Sequence, residues 1–449
     1  MVFIGRNWEL ERLKDLKKSN KANLVVINGR RRIGKSKLAE EFGKDYILYS
    51  FTGLPPTREK NADAQRKYFG LQLEKYFHYP VKDKNWFYLL DFLAAQTINQ
   101  NAVILLDEIS WMASEDVDFL GTLKSIWDQH FSKNPQLMLI ICSSVASWID
   151  KNILSSTGFV GRISLNLHLK ELNLKECTAF WKEASSKISS MEKFKMLSVT
   201  GGVPRYLEEI DVNDTAANNI KKLCFSESGV LFNEFEQIFS DLFASKNEQY
   251  KHIVQLLSDG SKDRNTIALE LKTSVGGILT EYLEDLIKAG FIARDFTWNI
   301  SSGNESQLSL YRLSDNYVRF YLKYIAPNAS KIRGGFFRDV TLSNLENWHS
   351  IVGLQFENLV LSNKRLISEE LGIETSSIIS EGRFFQRSTS RIPGCQIGYM
   401  IQTKENILFI CEVKFTKNQV SMSVVDEMKE KIQRLKTPKN FSIIPVLIY

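Results

Sequence analysis

The stretch Gly29-Arg30-Arg31-Arg32-Ile33-Gly34-Lys35-Ser36 restricts what this chain can fold into more than any other. The apolar run Leu24-Val25-Val26-Ile27 precedes it, and Lys37-Leu38-Ala39-Glu40-Glu41-Phe42, which reads as a helix, follows it. Strand, glycine-bounded loop and helix in that order make a P-loop. The glycines let successive backbone N–H groups curl around an anion at a helix N-terminus. Lys35 is then placed to reach the β- and γ-phosphates of a nucleotide, and the Ser36 hydroxyl to ligate Mg²⁺. The residues expected to cradle ATP run from Gly29 through Lys37.

A second apolar run, Ala102-Val103-Ile104-Leu105-Leu106, ends in Asp107-Glu108. An uninterrupted apolar run reads as a parallel strand buried on both faces. In P-loop enzymes the first acid holds Mg²⁺ directly or through water, which assigns Asp107 to the metal beside Ser36. Glu108 is then the candidate general base. A third run, Leu137 to Cys142, ends in Ser143-Ser144. Ser144, with Ser143 second, is the candidate sensor of the γ-phosphate or of the attacking water. The alternative is two hydroxyls capping the next helix.

At 449 residues, with 43% hydrophobic and 24% charged residues, the chain exceeds one core and has an ordinary globular balance. A formal charge of +6 permits DNA as a partner without demanding it. The five cysteines lack paired spacing, which argues against zinc and fits a reducing cytoplasm. Arg6, Glu9 and Glu11 near the start do not read as a signal peptide, and no apolar run reaches the ~20 residues of a membrane span.

These motifs carry a resemblance. Phe3-Ile4-Gly5-Arg6, the three-arginine P-loop, Leu105-Leu106-Asp107-Glu108 and Cys142-Ser143-Ser144-Val145-Ala146-Ser147-Trp148 are similar to the archaeal-type ATPases of the AAA+/STAND group. Gly161-Arg162 and Gly201-Gly202-Val203-Pro204-Arg205-Tyr206-Leu207 continue the likeness. One departure is Ser143, where that group usually has glycine. The resemblance implies that Arg162 is an arginine finger, in cis or toward a neighbouring subunit of a homo-oligomer. It also implies that Arg205, in a helical lid, contacts phosphate.

Beyond the lid, 247–313 reads as three short helices and a hairpin, the pattern of a winged helix. Its third helix, Thr280 to Lys288, carries Glu281, Glu284 and Asp285, which phosphates would repel. DNA and a protein partner both stay open. Lys331, Arg333 and Arg338 form a small basic patch in the linker that follows. Near the C-terminus, Glu357 on a helix and Glu412-Val413-Lys414 after an apolar strand resemble the metal-binding pattern of PD-(D/E)XK nucleases. Where related ATPases read Gln-Ile-Asp, this chain has Gln396-Ile397-Gly398, so the carboxylate that anchors the metal is missing.

The expected architecture is therefore an α/β chain in five parts. They are a three-layer P-loop ATPase core (1–165), a helical lid (166–240) and a winged-helix domain (241–316). A helical linker (317–350) and a restriction-endonuclease-like α/β domain with a degenerate site (351–449) complete it. The function read from it is an ATP-hydrolysing switch acting on DNA or a protein. The alternatives are a metal-dependent nuclease and a non-hydrolysing ATP-binding scaffold.

Overall fold

Val25 and Ile27 point to one face of a sheet, Leu24 and Val26 to the other, and all four are fully buried. A strand covered on both sides must sit between two helical layers. The computed structural model describes residues 3–55, 62–81, 85–114, 116–243, 247–390, 392–416 and 420–449.

Strands β1 (Asn23–Gly29), β2 (Ile47–Thr52), β3 (Ala102–Asp107), β4 (Met138–Ser143) and β5 (Ile163–Leu169) form a parallel sheet of order β2-β3-β4-β1-β5. Leu38 and Phe42, from the helix that follows the loop, pack with Val25, Ile27 and Leu105 on one face. Leu89, Leu93 and Leu123 cover Leu24, Val26 and Ile104 on the other. The edge strand β5 alternates more and less exposed positions, as one-sided packing requires, and the other edge strand, β2, has one fully buried residue, Phe51. This unit comprises Met1–Leu172 together with Val203–Arg205, so it continues past residue 165 and takes in part of the Gly-Gly-x-Pro segment.

The rest of the chain, Asn173–Gly202 and Tyr206–Tyr449, forms a second unit. It contains helices Asn247–Leu256, Arg264–Glu270 and Gly277–Lys288, then an antiparallel hairpin of β6 (Ile292–Trp298) and β7 (Glu305–Leu313). A mixed sheet follows, of order β11-β10-β9-β8, from β8 (Ile378–Gln386), β9 (Cys395–Thr403), β10 (Ile407–Val413) and β11 (Ser442–Ile448). In it β10 and β11 run parallel and the other pairs antiparallel.

Sequence reading divides this stretch into separate domains, whereas a buried polar network joins it. Arg319 is fully buried and donates to Ser258 O, Gln355 Oε1 and Leu313 O at 3.3, 2.7 and 2.6 Å. Gln355 in turn donates to Ser198 O and Asn316 O. Lid helix, hairpin and the helix Trp348–Ser362 thus share one set of hydrogen bonds. Buried polar groups are costly unless paired, so each partner holds the others in place. Among the described residues, no helix is long and apolar enough to cross a membrane.

Candidate functional site

In a parallel sheet the strands β1, β3 and β4 all end on the same side, and the loop, the acidic pair and the serine pair lie at those ends. The turn out of β1 needs glycine. Gly29 has φ +140°, and a Cβ there would come within 2.5 Å of Leu169 O. Gly34 has φ +88°, with nothing within 4 Å of where its Cβ would be, so the space over the loop is open. Arg32 is left-handed as well (φ 68°). The helix Lys35–Gly43 begins directly behind Gly34.

Lys35 is buried, and its ammonium donates to Gly29 O and Arg30 O at 3.2 Å each. Desolvation lowers its pKa, while Glu108, Cys142 and Asp107 pull the other way. Ser36 Oγ donates to Asp107 Oδ2 at 2.7 Å. Burial raises the Asp107 pKa, opposed by that hydrogen bond. A carboxylate that is costly to keep ionised, next to a serine hydroxyl, is a donor set suited to a hard dication. Ser36 and Asp107 therefore fit Mg²⁺.

Glu108 is turned away from its neighbour. Its φ of 51° places it in the left-handed region, strained for a residue with a Cβ, at the start of the short helix Ile109–Met112. The side chain reaches the tip of β4, where Ser144 Oγ and the Ser144 N–H both donate to Glu108 Oε2, at 2.9 and 3.1 Å. The two neighbouring carboxylates thus have different partners: Asp107 has Ser36, and Glu108 has Ser144. Ser143 is engaged elsewhere, 2.9 Å from Ser110 Oγ and accepting from Val145 N.

The arginines of the loop divide. The Arg30 guanidinium is 4% exposed and pairs with Glu171 at 3.1 Å, so what Arg30 can offer an anion is its backbone. Arg31 acts on Lys35 electrostatically, depressing its pKa. Ile33 is buried in the core behind the loop, and the Lys37 side chain is exposed. Arg6 was legible only as part of a resemblance. It donates to Ile33 O at 3.1 Å and to Lys170 O at 2.6 Å, tying the loop to the end of β5. Asn28, just before the loop, meets His168 Nδ1 and Asn166 Oδ1 on the same strand. Arg205 packs with this unit, next to Val203 and Pro204.

Arg162 corrects an expectation. It precedes β5, whose first residue Ile163 pairs with Leu24 at the start of β1, while Leu169 pairs with Gly29. Arg162 therefore lies at the opposite end of the sheet from the loop, roughly 20 Å away by strand rise. There it forms a bidentate pair with Asp128, at 2.7 and 2.9 Å, and holds the Asp128 pKa down at about 2. A finger in cis is excluded by this topology.

Of the nuclease-like residues, Glu412 and Lys414 meet as an ion pair, while Glu357 lies on a helix covering the other face of the sheet. Glu412 is 4% exposed and accepts from Lys431 at 2.6 and 2.9 Å, with Lys414 at 3.5 Å. Lys414 bonds Glu427 at 2.8 Å, and this pairing raises its pKa. Lys431 belongs to the helix Met422–Arg434, whose Ile432 packs with Leu408 and Ile410 on one face of the sheet. The helix carrying Glu357 covers the other face, through Val360 and Leu361 against Cys411 and Val413. Glu357 instead acts electrostatically on Arg312 and Arg319. Among the described residues no group of three or more His, Cys, Asp or Glu is arranged to hold a metal.

A parallel sheet with a glycine-bounded loop after β1 and paired carboxylates after β3 is the arrangement of a P-loop ATPase domain. Residues 3–210 match the family model of an ATPase domain predominantly from Archaea, so the chain carries an archaeal-type ATPase domain. It is 28% identical over 348 residues to the uncharacterized protein MJECL04 of Methanocaldococcus jannaschii, spanning 75% of this chain and 72% of that one. Over 42 residues it is 45% identical to the uncharacterized ATP-binding protein MJ0423 of the same organism, 9% of this chain and 71% of that one. Among solved structures, the Walker-type ATPase paby2304 of Pyrococcus abyssi superposes with a TM-score of 0.51 at 16% identity, over 71% of this chain and 96% of that one. At that identity the likeness is one of fold.

Proposed function

We propose that the chain hydrolyses ATP with Mg²⁺ on the loop Gly29–Ser36 and works as a nucleotide-driven switch on DNA or a protein partner. The observation that carries this reading is the division of the two carboxylates, Asp107 on Ser36 and Glu108 on Ser144. Backbone N–H groups from Arg30 to Ser36 receive the phosphates. The Lys35 ammonium turns from its two loop carbonyls toward the β- and γ-phosphates. Ser36 and Asp107 would hold Mg²⁺, which when bound would supply neutralisation of the charge developing on the phosphates. Glu108, oriented by Ser144, accepts the proton of the attacking water.

Arg205 lies in the segment whose residues Val203–Arg205 pack with the ATPase unit while their neighbours belong to the second unit. That division supports a role in reading the γ-phosphate. Arg162 would serve only a neighbouring subunit, which would make turnover depend on chain concentration. The helices and hairpin over 247–313 are the proposed winged helix. The C-terminal sheet is the proposed nuclease-like domain, retained without cutting activity, since Glu412 is neutralised by Lys431 and Gly398 supplies no ligand. A cytoplasmic location suits the five free thiols.

The test is ATP turnover by the purified chain beside Lys35→Ala. Magnesium-dependent phosphate release that Lys35→Ala abolishes supports the reading. No turnover in the unmodified chain at any concentration would leave only a nucleotide-binding scaffold.

A further inference from the structure

The short helix Ala329–Arg333 ends in a left-handed glycine, Gly335 (φ +78°), with Phe336 N–H donating back to Lys331 O at 3.0 Å. This turn throws Phe336 outward, and the residue is 82% exposed. Its ring lies along the backbone of Gly334, where a Cβ would meet ring carbons at 2.8 and 2.9 Å. Glycine at 334 is what lets an aromatic ring lie there with its other side open.

Beside it is a cleft of about 400 Å³, lined among others by Ser226, Glu227, Ser228, Arg333, Gly335 and Arg338. The Ser226 and Ser228 hydroxyls are 3.0 Å apart. Lys331, Arg333 and Arg338 are all exposed and, among the described residues, none forms a salt bridge. Arg333 instead rests against the Phe232 ring, its guanidinium 5.5 Å from the ring centre. Glu227 lines the same cleft and Asp339 follows Arg338 in the chain, and both are exposed. Cations in the last turn also suit the end of a helix. That role leaves unexplained why the residue beside them is a phenylalanine open to water.

We infer that the surface around this cleft binds single-stranded nucleic acid, with a base stacked on the exposed Phe336 at its edge and the flanking phosphates held by Arg333 and Arg338, which line the cleft, and by Lys331, whose carbonyl accepts from Phe336 N–H. An open ring beside exposed cations matches the alternation of base and phosphate along a single strand. An acidic peptide would use the cations and leave the ring idle. Duplex DNA keeps its bases stacked on one another and offers none to the ring. The acidic helix Gly277–Lys288 is the poorer phosphate-binding surface of the two.

The test is fluorescence anisotropy of the full chain with a fluorescein-labelled ~20-nucleotide oligo-dT, from about 50 to 200 mM salt. Three phosphate contacts predict a slope of log K against log salt of about −2. Phe336→Ala is expected to weaken binding about tenfold with the slope unchanged. Arg333→Ala with Arg338→Ala is expected to flatten the slope by about 1.4. Both changes are at exposed side chains, and unchanged thermal midpoints show that the variants fold. Equal binding by Phe336→Ala, equal binding of the matching duplex, or capture of a polyglutamate peptide in place of the oligonucleotide would overturn the assignment. The cleft lies within the second unit and needs no ATP, so its failure leaves the ATPase reading intact.

Discussion

Replacing Ser144 by alanine removes one hydrogen bond from the proposed catalytic carboxylate and leaves the loop, Lys35 and Ser36 untouched. The bond lost is Ser144 Oγ to Glu108 Oε2 at 2.9 Å, while the Ser144 N–H at 3.1 Å remains on the same oxygen. A hydrogen bond to an ionised group is worth about 1.5–3 kcal/mol. If that energy holds Glu108 against the attacking water, each 1.36 kcal/mol lost is tenfold in rate. The expected kcat is about ten- to a hundredfold lower, with KM for ATP within about twofold. The assay is phosphate release at saturating Mg-ATP, with Ser144→Thr as the variant that restores the hydroxyl. An unchanged kcat in Ser144→Ala, or a Thr variant as slow as the Ala variant, would refute the positioning role.

Other expectations follow from the same geometry. Folding raises the Asp107 pKa, so the ionised form weighs against the folded state, and stability falls as pH rises from the ordinary carboxylate range through the folded pKa. Asp107→Asn is therefore expected to raise the melting temperature of the ligand-free chain while abolishing turnover; a lower melting temperature would contradict the desolvation argument. For Asp128 the sign is opposite. Its folded pKa of about 2 is below 3.8, so the Arg162 pair stabilises above about pH 4 and is lost as pH falls to about 2. Arg162→Ala should flatten the acid-unfolding profile in that window and leave ATP affinity unchanged, and weaker ATP binding to the isolated chain would contradict the placement. Gly398→Asp has room, since a Cβ there meets only Val413 at 3.8 Å. The variant is expected to fold and still not cut DNA with Mg²⁺ or Mn²⁺, because Lys431 occupies Glu412; metal-dependent cleavage would show that the missing aspartate alone had silenced the site.

The nucleotide site was legible because its signals are local. Gly29 and Gly34 are needed where φ is positive, and the strands before them and before Asp107 are unbroken apolar runs. Two serines follow the third apolar run, and the geometry puts Ser144, just past the end of β4, on Glu108 while Ser143 meets Ser110. Pairings across long separations left no such mark. Arg30 with Glu171, Arg6 with Ile33 and Lys170, and Glu412 with Lys431 depend on which elements become neighbours. Arg162 shows the cost most plainly. A residue name and a preceding glycine suggest a finger, but the direction of β5 decides which end of the sheet it occupies. The joining of lid helix, hairpin and the helix Trp348–Ser362 was equally invisible, since Arg319 and Gln355 are ordinary residues until they are buried together.

A single-turnover experiment addresses the central claim most directly. The chain is loaded with radiolabelled ATP and Mg²⁺, and the bound nucleotide is analysed over time for the unmodified protein and for Glu108→Gln. The glutamine keeps an oxygen for Ser144 but cannot take a proton. The account predicts that the unmodified chain converts its bound ATP to ADP, while Glu108→Gln binds as much ATP and converts it at least ~10²-fold more slowly. Conversion at the same rate in both proteins would remove Glu108 from the chemistry and with it the proposed mechanism.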